Sequence, residues 1–379
     1  MDDALQRSAD AALAKGDIAG ARALLEALAA QGSDFATSMK LAAVQRRTGD
    51  LAAALDTVNR ALDLQIDFVA LLLKASLLEQ LGDAPRAAEI YRAALFHAPD
   101  AASLPRPVAA RLDHARRFLG QVRAAIDADL RALPAMDAMH RARAHRFADN
   151  VLDRRAVFHQ QPTHYRYPGL ADQEFFDGAY PALADRMRAA FPAIRAEFEA
   201  LLAAHGDRQA PYVDFAPGQP MGQWKPLNRS ASWNALHLVR YGEVDPVNAA
   251  ACPETIRAFS GDHQPDIAGL APNLMFSLLA PQTRIPPHHG VANFRSVLHL
   301  PLIVPPGCAF RVGADSRAWV EGQPWIFDDT IEHAAWNESG ALRVVLIGDL
   351  WRPELDEQDK AIVRALVAAQ GAPGRLGAL

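Results

Sequence analysis

Cysteine is scarce in this 379-residue chain, with Cys252 and Cys308 the only two. Two thiols build neither a disulfide framework nor a cysteine-based zinc site, and a reducing cytoplasm is the expected address. Long apolar runs are lacking too. None approaches the roughly 18–20 residues that cross a bilayer. The opening MDDALQRSAD has neither the basic nor the apolar region of a secretion signal, so no membrane association is expected. Positive charge is not in excess: 39 Lys and Arg against 44 Asp and Glu leave a net charge of −5, and nucleic acid is not an expected partner. What the chain does have is a hydrophobic half and 22% charged residues. That composition supports packed cores in about two to three domains.

Breakers and tryptophan are unevenly spread. Residues 1–100 hold only Pro85 and Pro99 and no tryptophan, whereas all six tryptophans lie from Trp224 onward. An Ala- and Leu-rich stretch with few breakers predicts helices, and short β-rich runs between turns predict strands. The helical part repeats. Gly16-Asp17, Gly49-Asp50 and Gly82-Asp83 recur at intervals of 33 residues. Five positions after each glycine stands Ala21, Ala54 or Ala87; nine after stands Leu25, Val58 or Tyr91; twelve after stands Leu28, Ala61 or Ala94. Glycine can end one helix, and small residues let the next pack closely against it. The pattern resembles the tetratricopeptide repeat, with a spacing one residue short of that family's usual length. Such a surface carries no reactive groups and suggests binding or scaffolding. Further helix is expected over Ala110–Leu133 and after Pro134, the basic residues from Arg141 to Arg155 forming a solvated helix face. A loop-like stretch begins at His159, a helix covers Ala182–Ala204, and turns and short strands run to about Trp351.

The candidate chemistry lies in three segments: PHHGVANFRSVLHL (Pro287–Leu300), IFDDTIEHAAWN (Ile326–Asn337) and ALRVVLIGDLW (Ala341–Trp351). His288 and His333 each stand at the mouth of a β-type run. Neutral imidazole is a good ligand for iron, zinc or nickel. In the last segment, strand alternation puts Arg343, Val345, Ile347 and Asp349 on one face. A guanidinium pointing into an apolar barrel is costly unless it meets an anion, such as the distal carboxylate of 2-oxoglutarate. Arg295, Val297 and His299 likewise share a face. In FDDTIEH, Asp328 and Asp329 are expected to form a turn and cap backbone N–H groups. Trp325, Trp336 and Trp351 are read as core, and no motif assigns Gln223-Trp224-Lys225 or Trp233–Arg240 to a cleft. No GxSxG, P-loop or HExxH pattern competes.

Taken together, MFSLLAPQTRIPPHHGVANFRSVLHLPL, WVEGQPWIFDDTIEHAAWNE and LRVVLIGDLWRPEL resemble the aspartyl/asparaginyl β-hydroxylases, a family of iron(II)- and 2-oxoglutarate-dependent oxygenases. The resemblance implies an α+β chain: tetratricopeptide-like helices over 1–104, a helical linker over 105–158, a double-stranded β-helix (jelly-roll) oxygenase domain over 159–360, and a C-terminal helix and flexible tail over 361–379. It implies that His288 and His333 bind iron, that Ser277 and Arg343 hold the distal carboxylate of 2-oxoglutarate, and that His299 lies near its oxalyl end. Gly290 stands where most related oxygenases carry a carboxylate ligand. This chain has His289 and Val291 in place of the family's common Thr and Pro, and Val297 where some members have a second arginine. Arg295 is therefore the candidate to meet a substrate carboxylate or amide. The implied reaction consumes O2 and 2-oxoglutarate and hydroxylates an unactivated carbon. The implied target is the β-carbon of an Asp or Asn residue in a peptide or protein, held by the helical repeats. The alternatives are an adaptor with an inactive cupin-like barrel and an enzyme acting on a free small molecule.

Overall fold

The computed structural model describes residues 2–370 other than 33, 100–103, 135 and 219–220. The chain divides into two compact units, Met1–Leu152 and Asp153–Leu379. The first is all helix: α1 (Asp2–Lys15), α2 (Ile18–Gln31), α3 (Phe35–Arg47), α4 (Leu51–Leu64), α5 (Phe68–Gln80), α6 (Ala84–His97), α7 (Arg106–Ala132) and α8 (Ala138–Val151). The Gly-Asp repeats are its hinges. Gly16, Gly49 and Gly82 sit at φ of +76°, +82° and +81°, a left-handed turn that a side chain would strain. The aspartate that follows then caps the next helix, accepting from the N–H of Gly20, Ala53 or Arg86. Three helical hairpins result, with tetratricopeptide-like architecture. Ala21, Ala54 and Ala87 are fully buried where the helices meet, beside the buried Leu25, Val58 and Tyr91.

One boundary differs from the sequence reading. The segment expected to be a linker from 105 belongs to the first unit, because α7 sinks Leu112, Ala115 and Leu119 into the core formed by α5 and α6. An amphipathic helix that buries this stripe is a layer of the domain, not a tether.

The second unit runs α9 (Pro181–His205), β1 (Ala210–Pro211), β2 (Trp233–Arg240), β3 (Glu243–Val244), α10 (Pro246–Ala251), α11 (Pro253–Phe259), β4 (Leu274–Leu279), β5 (Thr283–His288), β6 (Arg295–Ile303), β7 (Cys308–Val312), β8 (Asp315–Arg317), β9 (Trp325–Phe327), β10 (His333–Asn337), β11 (Arg343–Trp351) and α12 (Glu357–Ala369). A seven-stranded sheet has the order β1-β2-β4-β11-β6-β9 with β3 paired to β2, and a four-stranded sheet has the order β5-β10-β7-β8. All pairings within both are antiparallel. This is the expected jelly-roll sandwich.

Strand alternation separates two cores. Outward residues of the larger sheet, such as Phe276, Leu298 and Leu346, pack under Met187, Ile194 and Phe198 of α9. Inward residues, such as Met275, Val297, Val345 and Ile347, meet Ile285, Phe310 and Ala335 of the smaller sheet. Because the larger sheet is buried on both faces, its strands read as nearly unbroken apolar runs. Each polar residue on the inner face is then conspicuous. α12 begins at Glu357, behind a capping box made by Asp356 and Asp359, and the tail expected beyond residue 370 lies outside the described residues.

Candidate active site

His288 is the last residue of β5 and His333 the first of β10. The two are cross-strand partners, which brings their ring centroids to 3.9 Å. The strands need not bend to achieve this; the register does it. The register then shifts by a bulge between His333 and Ala335. Each Nδ1 lies against a main-chain carbonyl, that of Pro286 at 2.7 Å for His288 and that of Ile331 at 3.1 Å for His333. A carbonyl only accepts, so Nδ1 carries the proton and Nε2 keeps its lone pair free. Burial pushes the His288 pKa down to about 4 and that of His333 well below the ordinary value, so both rings are neutral near pH 7. Both rings thus carry an unprotonated Nε2, the state in which imidazole ligates metals. Among the described residues no group of three or more His, Cys, Asp or Glu forms a metal cluster. Protein ligation would therefore rest on this pair.

The larger sheet supplies the anion-binding end. Arg343 opens β11, and Ser277 on the adjacent β4 stands within reach, its Oγ 3.5 Å from an Arg343 terminal nitrogen. Ser277 Oγ also accepts from the Trp233 indole N–H at 3.0 Å. Arg343 is 2% exposed, lies over the Trp319 ring at 5.0 Å, and leaves its Nε without a partner. Burial pushes its pKa down to about 10. Three arginines are fully buried among the described residues: Arg295 and Arg352 both meet carboxylates, and Arg343 meets none. A desolvated cation with no counter-ion is the complement of an anionic ligand. On β6, which flanks β11 on the other side, His299 sits between Phe327 and Phe310 with its Nδ1 unpartnered. Its pKa falls well below the ordinary value, through burial and then through Arg343, so this ring is neutral as well.

Arg295 departs from the expectation of a free substrate anchor. Its guanidinium is buried and already engaged, donating to Asp349 at 2.5 Å and to Asp329 at 2.9 Å. Asp349 also accepts from the Asn273 main chain and side chain. Of the FDDTIEH aspartates, Asp328 caps the turn as expected, accepting from the Thr330 N–H and hydroxyl, and it also pairs with Arg352. Asp329 does something else: it lines the pocket with one carboxylate oxygen unpartnered, and burial raises its pKa to about 7. Its carboxylate fills the space beside Gly290, where an added Cβ would lie 2.2 Å away. Glycine at 290 thus makes room for a carboxylate that arrives from residue 329.

Most of these groups face one cavity of about 60 Å³ between the sheets. Ser277, His288, His299, His333, Arg343 and Arg295 all line it. Its wall also includes residues that carry no sequence motif. Tyr212 stacks on Trp233 at 3.9 Å, and Trp224 lies 4.6 Å from the His288 ring. Gln223 clips the same segment in place by bonding both the N–H and the carbonyl of His289, whose side chain does not line the cavity. Trp351 is core; Trp325 and Trp336 are only partly buried.

The jelly roll thus brings two inward imidazoles and a buried arginine that meets no carboxylate into one cavity. Residues 188–353, which lie in the second unit, match the family model of the aspartyl/asparaginyl β-hydroxylases. Human aspartate β-hydroxylase domain-containing protein 2 is 30% identical over 220 residues, 57% of this chain and 56% of that protein. The ornithine lipid ester-linked acyl 2-hydroxylase of Rhizobium tropici is 32% identical over 191 residues, 50% of this chain and 64% of that protein. Human aspartyl/asparaginyl β-hydroxylase is 29% identical over 156 residues, 41% of this chain and 20% of that protein. The chain thus spans about half the length of the first of these curated relatives. Among solved structures, a tetratricopeptide repeat protein from Parabacteroides merdae covers 54% of this chain and 67% of its own at 18% identity, with a TM-score of 0.27. That likeness is too loose to bear on function.

Proposed function

We propose that the second unit is an iron(II)- and 2-oxoglutarate-dependent dioxygenase that hydroxylates an unactivated carbon. The observation that supports this most is the shared pocket: a neutral histidine pair on one sheet faces a buried arginine without a carboxylate on the other. Whether the residues fit such groups can be judged from the donors. Two imidazoles with free Nε2 atoms suit a ferrous ion, and Asp329 brings an oxygen without a donor to the same space. Arg343 with Ser277 suits a dicarboxylate, since the pair offers charge-assisted donors in a dry site.

In this reading His288 and His333 hold the metal through Nε2, while the Pro286 and Ile331 carbonyls fix both rings in the ligating tautomer. Arg343 and Ser277 anchor the distal carboxylate, and His299 borders the cosubstrate's path toward the metal. When bound, ferrous ion and 2-oxoglutarate together supply the O2 activation that oxidises a C–H bond. The protein's share is placement, with Trp233 fixing Ser277 and Trp319 backing Arg343. For the target carbon, one relative's name points to Asp and Asn side chains and another's to an acyl chain. The helical hairpins of the first unit are assigned recruitment of a peptide or protein partner, on the strength of their repeat architecture.

The test is spectroscopic and chemical. Anaerobic protein given Fe(II) and 2-oxoglutarate develops a weak visible charge-transfer band, and admitting O2 yields succinate. His288→Ala with His333→Ala abolishes both signals. A wild-type protein giving neither band nor succinate overturns the assignment.

A further inference from the structure

The charged groups inside the pocket bear on what can be oxidised there. Arg295 and Arg343 are the two cationic side chains in its wall, and no lysine lines it. Under the function proposed above, on which this inference rests, Arg343 is taken by the cosubstrate. Arg295 is the remaining cation, and both of its terminal nitrogens already point at carboxylates, one at Asp349 and one at Asp329. A substrate carboxylate entering here would find no unengaged guanidinium. It would also come up against Asp329, whose second oxygen is buried and lacks a donor of its own. A carboxylate buried with no free cation to meet it is strongly disfavoured.

The surfaces beside the histidines are of the opposite kind. Val297 follows Arg295 on the inner face of β6, and Ile347 lies on the inner face of the neighbouring β11. The indole of Trp224 rests against His288, and the stacked rings of Tyr212 and Trp233 continue the wall. Aromatic and branched aliphatic surface of this extent favours a methylene chain through dispersion and loss of hydration. We infer that the substrate group admitted to the metal is an uncharged aliphatic chain, not a carboxylate side chain, because the sealed Arg295–Asp329–Asp349 cluster offers no anion site and Trp224, Tyr212 and Val297 form an apolar wall. Two sources present that chemistry, the acyl chain of a lipid or acyl conjugate and the side chain of an aliphatic amino acid.

The experiment measures binding, so it does not depend on turnover. Full-length protein is loaded anaerobically with Mn(II) and 2-oxoglutarate, and binding of each is followed by titration calorimetry and quenching of tryptophan fluorescence. Failure of 2-oxoglutarate to bind overturns the functional assignment and this inference together. With the cosubstrate bound, four probes are titrated: decanoyl-glycinamide, and capped peptides of one sequence with Leu, Asn or Asp at the central position. The expected result is that decanoyl-glycinamide or the Leu peptide binds at least tenfold more tightly than the Asp peptide. The stronger of those two identifies the source of the chain. An Asp or Asn peptide that binds as tightly as both aliphatic probes overturns the inference while leaving the cosubstrate assignment standing. Val297→Arg adds a cation to the same wall and is expected to raise affinity for the Asp peptide tenfold or more. If that variant does not fold, the wild-type comparison decides.

Discussion

Replacing Arg343 with methionine separates a residue kept for a ligand from one kept for the fold. In the ligand-free protein this guanidinium is buried with no carboxylate, over the Trp319 ring, and its pKa is pushed down to about 10. A fall of that size corresponds to roughly 3 kcal/mol spent on holding the charge in the site. Methionine has a similar reach, keeps the contact with Trp319 and removes the charge. Arg343→Met is therefore expected to leave unfolding free energy unchanged or to raise it by up to about 3 kcal/mol. Arg295→Met is the control. It strands Asp329 and Asp349 without their shared cation and is expected to cost about 3–5 kcal/mol. Affinity for 2-oxoglutarate should move the other way. Loss of a buried charge-assisted pair at Arg343 should weaken it by about 3–5 kcal/mol, or roughly two to four orders of magnitude. Urea unfolding gives the first quantity, and calorimetric titration with Mn(II) under nitrogen the second. If Arg343→Met destabilises as much as Arg295→Met and binds 2-oxoglutarate like the wild type, Arg343 is a structural residue and the reasoning is refuted.

Two further substitutions test other parts of the account. Gly290→Ala drives a Cβ into the Asp329 carboxylate and is expected to cost about 1–3 kcal/mol, and the double change with Asp329→Ala should cost less than the two single losses together, which urea unfolding reads directly. His237 is partly buried, both ring nitrogens are out of solvent and lack partners, and desolvation pushes its pKa down to about 3. Its folded pKa lies below the unfolded value of about 6.5, so its contribution to stability is complete above that pH and is lost as pH falls toward 3. His237→Leu should flatten the pH dependence of unfolding free energy between pH 6 and 3 by up to about 1.4 kcal/mol per pH unit, and an unchanged slope would show that this ring does not titrate on unfolding.

The repeats were legible because their signals are local. A glycine that must adopt positive φ and an aspartate that caps the next helix need no tertiary context, and both recur in register. The inner face of β11 was legible for a similar reason, since one arginine in an apolar run has few physical explanations. What the sequence hid was pairing across the fold. Arg295 looked available because Asp349 lies on the adjacent strand and Asp329 in a distant turn, and nothing in their spacing announces that both converge on it. Asp328 and Asp329 are neighbours in one motif, yet one closes the turn and the other faces the cavity; only the backbone direction distinguishes them. Trp224 and Tyr212 lie in a turn-rich stretch with no periodicity, and they reach the site because the 222–224 turn carries Trp224 and the pairing of β1 with β2 carries Tyr212. The helix expected over Ala110–Leu133 is there as α7, but only α5 and α6 show that its Leu112, Ala115 and Leu119 stripe is buried.

The two imidazoles belong to the four-stranded sheet, whereas Ser277, His299 and Arg343 belong to the seven-stranded one. The distance from the histidine pair to Arg343 is thus not set within any single ladder of hydrogen bonds but by the side chains wedged between two layers. A methyl group removed from Ile285 or Val345, neither of which carries any chemistry, would let the layers settle closer and misalign the two halves of the centre. Spacer residues of this kind tune reactivity from inside the sandwich, and they would be overlooked in any search confined to polar groups.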